Sequence, residues 1–414
     1  MSVLIRESPY PMVSIADATA MIMERAQPLG SEEIDALTAL GRVLANDITA
    51  PEDIPDVPKS AMDGYALRAG DSLAPRRVVG ELTAGGPSTV TLGPGEATRI
   101  MTGAPMPPGA DAMIPVEMTE ERDGMLYIQR ELKPGDYVHV VGQDVARGQT
   151  VLTAGTTIGA PEIGILATLG ITRITAYRRP RVAVLATGDE VVEPSELRPG
   201  GAVRDSNRYT LMAAVREAGC EPISLGIARD DIAVQRQAIL RGLEQADVLI
   251  TSGGVSMGTR DLIKPLLAEL GTVHFGRIAF KPGKPTTFAT VNGKLVFGLP
   301  GFPVSSLVSF EVFVRPALRA LQGDARPFRP QVTVTLGQPV RPSPDRPEYQ
   351  RIIVSFQEGK LVAVTTGSQN SSRLLSLRGA NGLLLVPAGD TVYPAGSTLP
   401  ALLTGPLIGE GTTW

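Results

Sequence analysis

Residues 181–254 read RVAVLATGDEVVEPSELRPGGAVRDSNRYTLMAAVREAGCEPISLGIARDDIAVQRQAILRGLEQADVLITSGG. Three apolar runs, RVAVLATG (181–188), EPISLGI (221–227) and DVLITSGG (247–254), alternate with two segments of helical period. DSNRYTLMAAVREAG (205–219) stops at Gly219, and DDIAVQRQAILRGLEQ (230–245) can be capped by Asp230 or Asp231. Near-continuous apolar strands alternating with helices specify a buried, mostly parallel sheet covered on both faces. The alternation continues with a helix in DLIKPLLAELG (261–271) and strands in VHFGRIAF (273–280) and TTFATVNGKLVFGLP (286–300). A long helix follows in PVSSLVSFEVFVRPALRALQG (303–323). The expectation is a three-layer α/β/α unit over 177–324, with ligands held at the carboxyl ends of its strands.

Working outward, residues 13–47 predict two helices, one capped by Ser14 and one opened by Ser31 and running to about Leu44. APEIGILATLGI (160–171) predicts another helix. Between them, RVVGEL, ATRIMTG, AMIPVEM and MLYIQREL lie among Gly/Pro turns, as in a β-rich insertion. After Pro327, QVTVTLG, YQRIIVSF, KLVAVTT and GLLLVP predict a small all-β, barrel-like unit. The chain is thus expected to hold a split helical unit (1–48 plus 142–176), a β-rich unit (49–141), the α/β unit (177–324) and the terminal β unit (325–414).

Composition closes off several function classes. Of 414 residues, one is cysteine (Cys220) and two are histidine (His139 and His274), which leaves no disulfide framework, histidine metal cage or Ser-His-Asp triad. A 4% aromatic content and a net charge of −4 argue against a nucleic-acid surface. MSVLIRESPY lacks the apolar core of a signal peptide, and Leu295 to Phe310 is broken by Pro300 and Pro303, so a cytoplasmic protein without a membrane span is expected.

Chemistry-bearing residues gather at the strand ends. Glu190 follows Thr187-Gly188-Asp189, and its carboxylate could help to hold a hard cation. Ser252, Gly253, Gly254, Ser256 and Gly258, followed by Asp261, form a glycine- and hydroxyl-rich nest for phosphate oxygens. Lys281-Pro-Gly-Lys284-Pro, with Arg277 four residues earlier, projects cations from a stiff turn that suits an oxyanion. Gly298-Leu-Pro-Gly-Phe-Pro303 joins a strand to a helix. SAMDGY, RIMTGAP and GQDV, taken alone, are turn chemistry.

Together, SAMDGYA, RIMTGAP, GQDV, ATGDE, DSNR, GIARDD, TSGGVSMGTRD, KPGKP and GLPGFPVS, in order from residue 60 to 305, resemble the molybdopterin molybdenumtransferase family. That family includes the C-terminal domain of gephyrin. The resemblance implies a homodimeric enzyme of elongated four-domain subunits, in which adenylated molybdopterin and molybdate react with Mg2+ to give molybdenum cofactor and AMP. The active site would lie between the α/β unit of one subunit and the β-rich unit of the other, and contact with the molybdopterin adenylyltransferase is conceivable. Asp63, Thr102, Asp144, Glu190, Asp230, Asp261, Lys281, Pro300 and Pro303 match family site positions. Glu190, Asp230 and Asp261 are the carboxylates for metal or ligand, Lys281 and Lys284 the oxyanion contacts, and Gly253, Gly254 and Gly258 the nucleotide wall. Two positions depart from the pattern: Arg277 stands where lysine is frequent, and Phe302 where GLPGNPVS has Asn. The rival readings are a nucleotidyl enzyme on the same α/β unit and a non-catalytic scaffold of the gephyrin type.

Overall fold

The computed structural model describes residues 10–86, 90–255 and 262–409. Helix α1 (Ile15–Arg25) is capped by Ser14, whose hydroxyl accepts from the Asp17 N–H. It buries Ala18 and Ile22 against the central sheet. Ser31–Asp35, expected to open a second helix, is instead a strand paired antiparallel with Arg173–Tyr177. The partner RITAY supplies β-branched and aromatic residues, and cross-strand pairing of Ile34 with Ile174, with a diagonal, exposed ion pair from Arg173 to Glu33 (2.9 Å), outweighs the helical preference of the acidic pair. Helix α2 (Ala160–Thr168) forms where its apolar period places it.

The β-rich region is a six-stranded sheet in which Gly64–Leu67 lies between Glu96–Ile100 and Ala112–Pro115. Asp63-Gly64 is therefore a strand entrance rather than a free turn. A Cβ at Gly64 would sit 2.0 Å from the Ile114 carbonyl oxygen, so only glycine lets the two backbones approach.

The central sheet holds β1 (Arg181–Thr187), β2 (Glu221–Ala228), β3 (Val248–Ser252), β4 (Thr272–Phe275), β5 (Thr287–Val291) and β6 (Lys294–Leu299), in the order 2-1-3-6-5-4. Strands β2, β1, β3 and β6 run parallel, and β5 is antiparallel to both its neighbours. Helices α3 (Asn207–Glu217), α6 (Pro303–Ser309) and α7 (Arg315–Leu321) join α1 on one face. On the other lie α4 (Ile232–Gln245), capped by Asp231, and α5 (Ile263–Leu270). The single helix expected over 303–323 is interrupted by a π turn at Phe310–Val314. It opens the hydrogen-bond ladder just ahead of Pro316, which has no N–H to donate. Five strands, Gln331–Leu336, Glu348–Gln357, Lys360–Thr365, Gly382–Val386 and Thr398–Leu403, close into a barrel around their own apolar core.

Arg178 fixes the chain where it enters β1, donating from both terminal nitrogens to Asp247 (2.8 and 2.6 Å), which also accepts from the Arg181 N–H. Burial raises the Asp247 carboxyl, and the Arg178 guanidinium with the Arg181 N–H outweighs it, so the group sits below the ordinary carboxylate range. A depressed folded value contributes stability that is complete above the unfolded value, about 3.9, and is lost as pH falls through the folded one. Urea unfolding of wild type and Asp247→Asn should therefore differ most at pH 6, and the gap should narrow progressively as pH falls below about 4 toward the folded value. An equal gap at pH 6 and pH 3 would refute this linkage.

Candidate active site

The parallel register brings three loops out of the sheet side by side: Ala186 pairs with Ser252, and Ser252 with Leu299. Thr187, Gly253 and Pro300 therefore leave their strands at one level. Gly253 has φ +94°, and a Cβ there would lie 2.8 Å from the Thr187 carbonyl, so side chains are excluded where the loops meet. A cavity of about 860 Å³ opens above them. Glu190, Asp230, Ser252, Gly253, Gly254, Pro300 and Pro303 all line it, seven of the residues picked out in the sequence. Ser256, Gly258 and Asp261 lie outside the described residues.

Asn207, at the start of α3, clamps two of these walls. Its side-chain amide donates to the Ser252 hydroxyl and to the Gly301 carbonyl, each at 2.8 Å. The third wall, residues 188–206, is held by the buried Arg208. Its guanidinium donates to Asp205 (2.7 Å), to both oxygens of Glu193 (2.6 Å each) and to the Ser224 hydroxyl. Burial opposes that charge and the two carboxylates outweigh it, so the guanidinium is held charged. Asp189 ties the same wall to the next loop, accepting from the Asp230 N–H at 3.1 Å. The sequence had drawn notice to DSNR as a motif without showing these roles, because both depend on residues 15 to 94 positions away.

Lys281 and Lys284 line a second cavity, of about 830 Å³, between the sheet and the barrel. Pro285 lines both cavities, and Ser371 and Ser372 border one each, so the two spaces adjoin. The Lys281 segment is stitched to the barrel as an added strand position: the Lys281 N–H donates to the Pro347 carbonyl (2.9 Å) and the Tyr349 N–H to the Lys281 carbonyl (2.7 Å). The Lys281 ammonium pairs at 3.2 Å with Glu348, whose side chain is only 4% exposed. Arg341, Arg346, Gln350 and Gln369 complete the polar wall. No local motif marks these barrel residues, which meet the lysines only through the tertiary fold. Arg277, expected beside the lysines, lines neither cavity; its carbonyl accepts from the Val13 N–H near α1.

Asp63, Thr102 and Asp144 form a separate group in the β-rich region. Thr102 donates to Asp63 from both its N–H and its hydroxyl, each at 2.7 Å. Thr102 and Asp144 line a third cavity with Lys59, Ser60, His139 and Gln143. That cavity shares no lining residue with the other two. One chain therefore assembles the strand-end and lysine groups together and leaves the Asp63 group apart.

Among the described residues no cluster of three or more His, Cys, Asp or Glu side chains is placed to enclose a metal. Glu190 and Asp230 on one cavity wall still suit magnesium, which is held by one or two carboxylates with substrate phosphates and water completing its shell.

A doubly wound sheet with a glycine-lined, acidic strand-end cavity, an adjoining lysine cavity and a companion β barrel is the architecture of an α/β protein that holds a ligand at its strand ends. Comparison with known proteins gives that class a family. Residues 13–170 match the MoeA N-terminal region (domain I and II), 183–320 a probable molybdopterin binding domain, and 333–404 the MoeA C-terminal region (domain IV). The chain is 36% identical to a molybdopterin molybdenumtransferase of Nostoc, covering 95% of this chain and 94% of that protein. It is 35% identical to one of Bacillus subtilis, with 94% and 93% covered. It also matches gephyrin of Dictyostelium discoideum at 37% identity over 97% of this chain, spanning 64% of that protein's length. A solved MoeA structure from Pyrococcus horikoshii superposes with a TM-score of 0.81 at 32% identity, over 96% of this chain and 100% of that one. The chain belongs to the molybdopterin molybdenumtransferase family, enzymes of molybdenum cofactor biosynthesis.

The Thr102 hydroxyl and N–H hold the Asp63 carboxyl below its ordinary range, with burial opposing and Arg99 assisting. Thr102→Val removes the hydroxyl and keeps the N–H. The Asp63 carboxyl, followed by carbon NMR across a pH titration, should titrate at a higher pH than in wild type. An unchanged midpoint would show that the hydroxyl does not set it.

Proposed function

We propose that the chain transfers molybdenum from molybdate to adenylated molybdopterin, releasing AMP and forming molybdenum cofactor. The observation that supports this most is the joined pair of cavities, glycine-rich and acidic at the strand ends, lysine-bearing at the barrel. The strand-end cavity takes the phosphate-linked part of the substrate: Gly253 and Gly254 carry no side chain to keep phosphate oxygens away from the backbone, and Ser252 adds a hydroxyl. Lys281 and Lys284 receive the tetrahedral molybdate dianion, as charge donors need no fixed fork for an oxyanion of that shape. Glu190 and Asp230 would hold Mg2+, joined by Asp261. The ion, when bound, screens the charge on the phosphate oxygens. This chain's own groups orient the two anions toward each other across Pro285. No protein nucleophile is needed, in keeping with the single cysteine, Cys220, being buried and its thiol pushed up to about 12 by that burial.

In the same reading the enzyme is a cytoplasmic homodimer, and the Asp63–Thr102–Asp144 group closes the site of the partner subunit. Support comes from the internal order of that group and its separation, within one chain, from the lysine cavity. We place divisions after residues 48, 141, 176 and 324; apolar clusters of their own in the β-rich region and in the barrel support this, while the sheet core also takes in α1 and Tyr349 and Leu383 of the barrel. Among the described residues no helix is long and apolar enough to cross a membrane.

Incubation with adenylated molybdopterin should release AMP and yield active cofactor in proportion to molybdate. Adenylation of free molybdopterin instead would favour the nucleotidyl reading. Mixing Asp63→Ala with Lys281→Ala chains, each inactive alone, should restore about a quarter of wild-type activity, because half the dimers are mixed and each mixed dimer has one intact site. No recovery after verified subunit exchange would place both residues in the same subunit's site or remove one from it.

A further inference from the structure

The strand-end cavity carries an apolar element that phosphate binding does not use. Phe302, Val203 and Leu374 all line it, and all three are well exposed, at 59%, 50% and 41%. They come from three different walls: the loop ahead of α6, the short strand Val203–Arg204, and the 3-10 turn Leu374–Leu377 of the barrel. Single exposed apolar side chains occur elsewhere on this surface, but three that converge on one cavity give it an apolar lining suited to a ligand. The backbone that carries Phe302 is held on both sides. Asn207 holds the Gly301 carbonyl next to Phe302, the Ser306 N–H donates to the Phe302 carbonyl (2.9 Å), and the Val304 N–H donates to Ser371 of the barrel (3.2 Å).

We propose that Phe302 is a specificity-determining residue whose ring stacks on the flat fused heterocycle of the substrate, with Val203 and Leu374 closing the sides of that seat. The proposal rests on the preceding reading of the cavity and names the part of the ligand that the phosphate nest cannot recognise. An aromatic face binds any planar π system and needs no hydrogen bond. The seat therefore selects a fused ring over a bare sugar phosphate. The adenine and the pterin of an adenylated pterin are the two flat rings available, and the test separates them.

Affinities of wild type, Phe302→Ala and Phe302→Trp would be measured by calorimetry for AMP, for a pterin monophosphate without adenine, and for ribose 5-phosphate. Phe302→Ala should lose about tenfold for the ligand whose ring is seated, in the range found for removing one aromatic stacking partner, and nothing for ribose 5-phosphate. A loss confined to AMP assigns the seat to adenine, and one confined to the pterin ligand assigns it to the pterin. Phe302→Trp should keep the affinity, and the fluorescence it introduces beside the single native tryptophan should be quenched by the same ligand. If wild type binds AMP or the pterin ligand and Phe302→Ala binds both equally well, the stacking is overturned and the reading of the cavity stands. An equal loss for ribose 5-phosphate also overturns it, since the variant would then have disturbed the phosphate nest. If wild type binds neither ring ligand, both readings fall.

Discussion

The register of three parallel strands is the constraint from which the site follows. Because Ala186, Ser252 and Leu299 are aligned across β1, β3 and β6, the loops after them emerge at a common height and must share one space. That space is usable only if the backbones can come close, which is why glycine stands at 253 with φ +94°. The strands are buried on both faces, by α1, α3, α6 and α7 on one side and α4 and α5 on the other, so the alignment is held by packing rather than by the loops themselves. The walls then need only local ties. Asn207 supplies one and Arg208 the other, and both sit at the start of α3, so one helix terminus governs three loops.

Much of this was legible in the sequence because it depends on local patterns. Continuous apolar runs such as VAVLA and VLIT announce strands covered on both faces, and the loops after them carry the glycines and carboxylates that line the cavity. What could not be read has a common physical origin in long-range pairing. Ser31–Asp35 looks helical by composition and becomes a strand because Arg173–Tyr177 lies beside it. The long final helix of the α/β unit has an unbroken apolar pattern, yet Pro316 forces a π turn before it. Lys281 was recognisable, whereas Glu348, its buried partner, was not, since 67 residues separate them and no periodicity links barrel to loop. Arg277, four residues before Lys281, lines neither cavity, and its carbonyl accepts from the Val13 N–H near α1.

The two cavities differ in their balance of charge: Glu190, Asp205 and Asp230 outnumber Arg204 at the strand ends, and Lys281, Lys284, Arg341 and Arg346 outnumber Glu348 against the barrel. Hydroxyl, amide and carboxylate groups dominate at the strand ends, and cationic side chains with amide-bearing glutamines dominate against the barrel. A ligand spanning Pro285 meets opposite electrostatic surroundings at its two ends, which fixes its direction without a contact dedicated to that purpose. The exposed apolar residues on the strand-end side add a third kind of contact that neither charge nor hydrogen bonding provides.

The β-bridge between Lys281 and Glu348 bears on how such a chain can vary over evolutionary time. Residues 331–403 look like a detachable module, a small barrel with its own core. Yet one of its strands supplies the backbone partners and the buried counter-charge of a lysine that belongs to the sheet. Recombination that exchanged the barrel for an unrelated one would leave that lysine without its anchor, so the two pieces are heritable only as a matched pair.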